Sequence, residues 1–77
     1  MNNEYFLSLD KGEQELVEWQ FRLNQGSFKS ALWNAIKNAD DINLARLFLG
    51  FPSQIEAYRK YTGIKGWWLE IRKGLEI

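Results

Sequence analysis

The stretch Ser27-Phe28-Lys29-Ser30-Ala31-Leu32-Trp33-Asn34-Ala35-Ile36-Lys37-Asn38-Ala39 decides the fold. Phe28, Ala31, Leu32, Ala35, Ile36 and Ala39 recur at i, i+3, i+4, i+7, i+8 and i+11, the spacing that aligns side chains on one face of a helix. That spacing predicts a helix over 28–39, with Ser27 as its N-cap. Small alanines on the stripe let a neighbouring helix approach closely. Trp33 is displaced by about 100° from Leu32 and falls off the stripe.

The same periodicity continues on both sides. Asp40 and Asp41 offer a cap, and their charge suits the positive end of a following helix. Leu44, Ala45, Leu47 and Phe48 then read as a short helix that Gly50 ends. Pro52 fits the first turn of the next helix, where its missing amide costs nothing. Ile55 and Tyr58 share a face with Thr62, and Gly63 closes that helix. A last helix is expected from about Lys65 or Gly66, with Ile64, Trp68, Ile71 and Leu75 on one stripe and Trp67 to its side. Upstream, Asp10 and Glu13 form a capping pair for a helix over 11–25. Leu16, Trp19 and Leu23 line one face of it, Val17 and Phe21 lie beside it, and Gly26 is the expected terminator. Tyr5, Phe6, Leu7 and Leu9 are apolar enough to dock on the core as a short turn. No segment alternates with period two, so strands are not expected. The fold class is all-α: residues 1–77 form one domain, a compact bundle of four to five short helices joined by tight turns.

A chain of 77 residues buries a modest share of its surface, so its stability is thin. Such domains usually need a staple, and this one has no Cys and no His. Disulfides, the usual zinc sites and His or Cys haem ligation are therefore excluded, together with Cys nucleophiles and the commonest general base. The remaining staple is aromatic burial: four Trp, three Tyr and five Phe. Formal charge is zero, but residues 1–26 carry net −3 and residues 27–77 net +3. Such a dipolar chain suits head-to-tail pairing with itself or contact with an acidic partner. With no leader-like start and no apolar run of membrane-spanning length, a cytoplasmic protein is expected.

The inventory for catalysis is poor. Glu13, Glu15, Glu18, Glu56 and Glu70 are spaced as ordinary solvated helix faces rather than as a facing carboxylate pair. Asp40-Asp41 is followed by Ile42, Asn43 and Leu44, which do not resemble a calcium loop, and capping explains the pair better. Gly63-Ile64-Lys65-Gly66 lacks the spacing of a phosphate-binding loop. No enzymatic activity, cofactor or metal is expected. Ser53, Gln54 and Arg59 would stand on the recognition helix of a helix-turn-helix, but the neutral net charge favours a solvated face.

The segment from Tyr58 to Lys73 is sharper. It carries Arg59, Lys60, Lys65, Arg72 and Lys73 against Glu70, interleaved with Tyr58, Tyr61, Trp67 and Trp68. That composition suits a core, a protein interface rich in Trp, Tyr and Arg, or a single-stranded nucleic-acid groove, favoured in that order. Phe48, Phe51, Tyr58 and Trp68 fall where a core would use them. Adjacent helical residues point apart, so Trp68 is expected inward and Trp67 partly outward. At least one of Trp33 and Trp67 is expected at the surface.

The run Phe51-Pro52…Ile55-Glu56-Ala57-Tyr58…Tyr61…Gly66-Trp67-Trp68, after Asn38-Ala39-Asp40 and Leu44-Ala45-Arg46-Leu47, resembles small uncharacterised proteins encoded by bacteriophages and prophages. The likeness covers roughly residues 28–70. It implies a bacterial or phage cytosolic accessory protein that acts by binding a host or phage protein. The sequence reading is thus a non-enzymatic protein-binding factor whose contact includes Trp67, Trp33, Arg59, Lys60 and Lys65. A nucleic-acid module built on residues 58–73 and a structural homo-oligomer, most simply a homodimer, are the alternatives; no membrane partner is expected.

Overall fold

The computed structural model describes residues 1–23 and 26–77. Six helices follow one another: α1 (Asn3–Ser8), α2 (Lys11–Gln20), α3 (Ser27–Asn38), α4 (Asp41–Gly50), α5 (Pro52–Gly63) and α6 (Trp67–Leu75). The fold is all-α, with one helix more than the sequence count because the segment around Tyr5 and Phe6 completes a six-residue helix. No helix among the described residues is long and apolar enough to cross a membrane.

Local signals set most of the boundaries. The Asp10 carboxylate accepts from the Glu13 amide at 2.8 Å, and Glu13 accepts in return from the Asp10 amide at 3.0 Å. This is the capping box expected from the sequence. Asp40 accepts from the Asn43 amide at 2.8 Å, and Pro52 occupies the first turn of α5. Ser27 does not cap α3; Gly26 holds that position without a side-chain bond, and Ser27 is the first helical residue. Asp10→Ala should therefore lower stability by about 1 kcal/mol, whereas Asp10→Asn, which keeps the acceptor, should cost less; urea midpoints at constant m-value measure both.

The expected helix over 11–25 stops at Gln20. Arg22 takes a left-handed conformation with φ 56°, its amide bonds the Trp19 carbonyl, and the Leu23 amide bonds the Glu18 carbonyl at 2.8 Å. These paired bonds are the Schellman closure of a helix end, performed by an arginine where glycine is usual. A side chain with a Cβ costs roughly 1 kcal/mol in that conformation. Asn24 and Gln25, the last positions of the expected helix, lie outside the described residues.

Helices α2 and α5 form the spine. Gly12 N–H donates to Ser53 Oγ at 2.8 Å, Gln54 to Glu15 at 3.1 Å, and Tyr61 OH to Gln20 at 3.4 Å. The partners are separated by 41, 39 and 41 residues, so the two helices run parallel in register. Glu15 is buried in this seam, and Glu13 receives Lys60 at 3.2 Å. The acidic face of α2 is therefore largely an interface with α5, not the solvated face its spacing suggests.

The core has two centres. Leu16, Leu32, Trp33, Ile36, Ile55 and Ala57 make one; Val17, Ile71 and Leu75 make the other. Trp67 and Trp68 are both half-buried and pack against both centres. Tyr5, Phe6 and Leu9 close the second centre, while Leu7 points to solvent. The Asn2 amide bonds the Leu75 carbonyl at 2.8 Å, tying the chain start to the end of α6. Phe48, Phe51 and Tyr58 pack half-buried against the first centre, as expected. The molecule is only 17 Å along its shortest axis. That is less than two helix diameters, so helices are left with an outer face uncovered.

Candidate functional site

Trp33 corrects the sequence reading. It is 1% exposed and stacks on Trp19 with centroids 5.2 Å apart and rings 11° from parallel. The apolar wedge of α3 is wider than the stripe identified in the sequence, and the helix is rotated about its axis. Leu32, Trp33 and Ile36 face inward, while Phe28, Ala31 and Ala35 face out. The physical reason is area: an indole buries far more apolar surface than two alanines, so Trp33 takes the inner position. Trp33 is thus a core residue and no part of a contact surface.

The other expected contact residues are only partly brought together. Lys60 sits 5.9 Å above the Trp67 ring while pairing with Glu13, so both its cation–π and ionic capacity are used within the chain. Arg59 is exposed, with its guanidinium 5.7 Å above the Phe48 ring of α4. Lys65 is exposed in the turn before α6 and joins neither group. Lys73 pairs with Glu70 at 3.4 Å. Two of the five cations of residues 58–73 are thereby matched by carboxylates, which reduces the positive charge a polyanion would meet.

The surface that stands out instead is α4. Its inner residues Leu44, Leu47 and Phe48 are half-buried against the first core centre, and none of its residues is fully buried. Its outer residues Ile42, Ala45 and Leu49, at i, i+3 and i+7, are exposed, Ile42 by 65% and Leu49 by 85%. A helix apolar on both sides is normally buried on both. Arg46 borders this stripe on one side, bonded to Asn43 at 3.3 Å. On the other side lies Phe48 with Arg59 over it. Near the end of α4 the Phe28 ring rests 6.0 Å from Phe51. Phe28, Leu32, Gly50, Phe51 and Pro52 line a groove of about 480 Å³ there, with Lys11 and Lys29 also at its wall.

No family model, curated protein or solved structure matches this chain.

The Ile42–Ala45–Leu49 stripe was visible in the sequence as apolar residues left over once Leu44, Leu47 and Phe48 are assigned inward. The signal was an apolar helix whose polar residues after Asp41, namely Asn43 and Arg46, occupy one narrow side, which periodicity alone reads simply as helix. Chemically the stripe is inert. Among the described residues no group of His, Cys, Asp or Glu is arranged to hold a metal ion. What such a stripe can do is exclude water against a second apolar surface.

Proposed function

We propose that this protein is a small non-enzymatic protein-binding accessory factor, of the phage or prophage kind its sequence resembles, and that α4 is its contact helix. The observation that carries this reading is the uncovered Ile42–Ala45–Leu49 stripe on a helix whose opposite face is already against the core. Its i, i+3, i+7 spacing is that of a helix–helix seam, with Ala45 at the centre small enough for close approach. The occupant this surface fits is an amphipathic helix of another protein with acidic residues flanking its apolar stripe. Arg46 and Arg59 border the seam on its two sides, and neither has an ion pair among the described residues. Of the contact residues expected from the sequence, Arg59 keeps a role as a rim contact, while Lys60 and Trp67 serve chiefly to join α5 to α6.

Leu49→Asp tests the reading. Because Leu49 is so exposed, the change should alter folding stability by no more than about 0.5 kcal/mol. It should nevertheless reduce capture of the partner from a bacterial lysate by at least about tenfold, a loss near 1.4 kcal/mol. Arg46→Glu with Arg59→Glu should slow association and reverse its salt dependence, because added salt then screens a repulsion. Capture that is unchanged in Leu49→Asp overturns the reading. A molar mass that doubles with concentration in wild type and not in Leu49→Asp overturns it in favour of a homodimer.

A further inference from the structure

The groove beside Phe28 and Phe51 differs chemically from the α4 stripe. Its apolar lining is Phe28, Leu32, Phe51 and Pro52. Phe28 is 66% exposed, with Phe51 tilted against it at 6.0 Å, so much of its ring is open to a second apolar group. The volume of about 480 Å³ lies within the usual range for a ligand pocket. The rest of the wall is polar and includes Lys11 and Lys29. Lys11 has no ion pair among the described residues, and Lys29 reaches Glu18 only at 3.9 Å.

The backbone around the groove has the same sign as the lysines. Lys11 stands in the first turn of α2, Phe28 and Lys29 in that of α3, and Pro52, Ser53 and Gln54 in that of α5. Asp10 caps α2, but the starts of α3 and α5 have no side-chain acceptor, so their positive ends are not offset. The end of α4 at Gly50 contributes the opposite sign. One carboxylate stands at the wall, Glu15, which is 5% exposed and accepts from Gln54 at 3.1 Å. Ser53 Oγ is also taken, accepting from the Gly12 amide at 2.8 Å. The groove therefore fits an apolar group with a negative charge close beside it. Neighbouring side chains point about 100° apart in a helix and to opposite faces in a strand, so an internal acidic residue does not follow its apolar neighbour into one small groove. The last residue of a chain carries both groups on a single Cα.

We infer that this groove binds the C-terminal residue of a partner chain, an aromatic residue with its free α-carboxylate. The ring packs against Phe28, Phe51 and Pro52, and Lys11 and Lys29 meet the carboxylate. The inference rests on the protein-binding reading but concerns a surface other than the α4 stripe. Leu49, at the end of that stripe, precedes Gly50 at the groove, so one partner can cover both.

The experiment is titration of the ¹⁵N-labelled full chain with the tripeptide acetyl-Ala-Ala-Phe bearing a free carboxylate, followed by amide and indole resonances. The tripeptide should saturate in the millimolar range or below. It should shift the amides of Phe28, Lys29, Gly50 and Ser53, while the Trp67 indole stays still. Its C-terminal amide form, acetyl-Ala-Ala-Ala and phenylpropionate should each bind at least about tenfold more weakly. Phe28→Ala, at an exposed position, should weaken binding by a similar factor while the spectrum keeps its dispersion. Lys11→Gln with Lys29→Gln should do the same, and the fold should hold because removing cations from helix starts favours the helices. Ile42→Asp, at the far end of the α4 stripe, should bind the tripeptide as wild type does. The groove and α4 are thereby tested apart: failure of the tripeptide leaves the Leu49→Asp test standing, and the reverse. The proposal is overturned by no saturable shift, by equal binding of the amide form, or by undiminished binding in Phe28→Ala or in the double lysine variant. Equal binding of phenylpropionate overturns it in favour of a small aromatic acid, and loss of binding in Ile42→Asp in favour of α4 as the seat of the peptide.

Discussion

Gly12→Ala is expected to remove most of the stability of this protein, about 3 kcal/mol, although it adds one methyl group to a helix. Gly12 is buried in the first turn of α2, where its amide donates to Ser53 Oγ at 2.8 Å. A Cβ on Gly12 would overlap the Ser53 carbonyl group and hydroxyl. The obstacle is backbone at the start of α5, so no side-chain rotation relieves it. Helices α2 and α5 would have to separate, and the Gln54–Glu15 and Tyr61–Gln20 bonds further along the same seam would lengthen with them. Overpacking of this kind costs about 1–3 kcal/mol, with the upper end fitting an immovable neighbour. The lost Gly12–Ser53 bond adds roughly 1 kcal/mol, and the gain in helix propensity returns about as much. A single core in a domain this small supplies only about 3–5 kcal/mol in total. The urea midpoint should therefore fall towards zero. Gly50→Ala is the control, because a Cβ there meets nothing within 4 Å. It should be neutral or slightly stabilising, by up to about 1 kcal/mol. A Gly12→Ala variant as stable as Gly50→Ala would mean that α2 and α5 do not meet at this point.

The contrast between these two glycines shows which parts of the molecule the sequence could reveal. Signals that act within one turn were mostly legible, the Ser27 cap expected for α3 being the exception. Asp10 with Glu13, Asp40 with Asn43, and Pro52 at the head of α5 all act over three residues or fewer, and all hold. Contacts made across the fold were not legible. Gly12 looks like punctuation until Ser53 is brought beside it, and Glu15 looks solvated until Gln54 covers it. Arg22 was invisible as a helix terminator because nothing in its side chain favours a positive φ; Gly26 was the better guess on intrinsic grounds. For the candidate site the same division applies. Arg59 and Lys60 were legible as cations among aromatics, but their partners Phe48, Trp67 and Glu13 come from three different helices or their junctions. The outer stripe of α4 is local in sequence, yet its exposure depends on the thinness of the whole assembly.

Trp33 is where a local pattern and the tertiary fold compete, and its replacement decides between them. On the periodic stripe of Phe28, Ala31 and Ala35, Trp33 stands to one side and Trp33→Ala would change little. In the structure it is the largest fully buried side chain and one half of the Trp19 stack. Trp33→Ala should then cost about 3–5 kcal/mol, the usual range for emptying an indole-sized site in a core. That equals the whole margin of a domain of this size, so the variant should be largely unfolded at 25 °C, with loss of near-ultraviolet dichroism from Trp19 as well. Trp33→Phe should behave differently. The Trp33 Nε1 proton is buried without an acceptor among the described residues. A buried donor left unpaired costs about 1–3 kcal/mol, and phenylalanine deletes that donor while keeping a ring against Trp19. The smaller ring leaves a cavity that offsets the gain, so the net loss should be about 1 kcal/mol. Trp19→Ala, at a half-buried position, should cost less than Trp33→Ala. Combining it with Trp33→Leu, which removes the ring, should reveal a coupling of about 0.5–1.5 kcal/mol from the lost ring stack. If Trp33→Ala instead unfolds within about 1 kcal/mol of wild type, a surface-level effect, then α3 presents its alanine stripe inward and Trp33 is not a core residue.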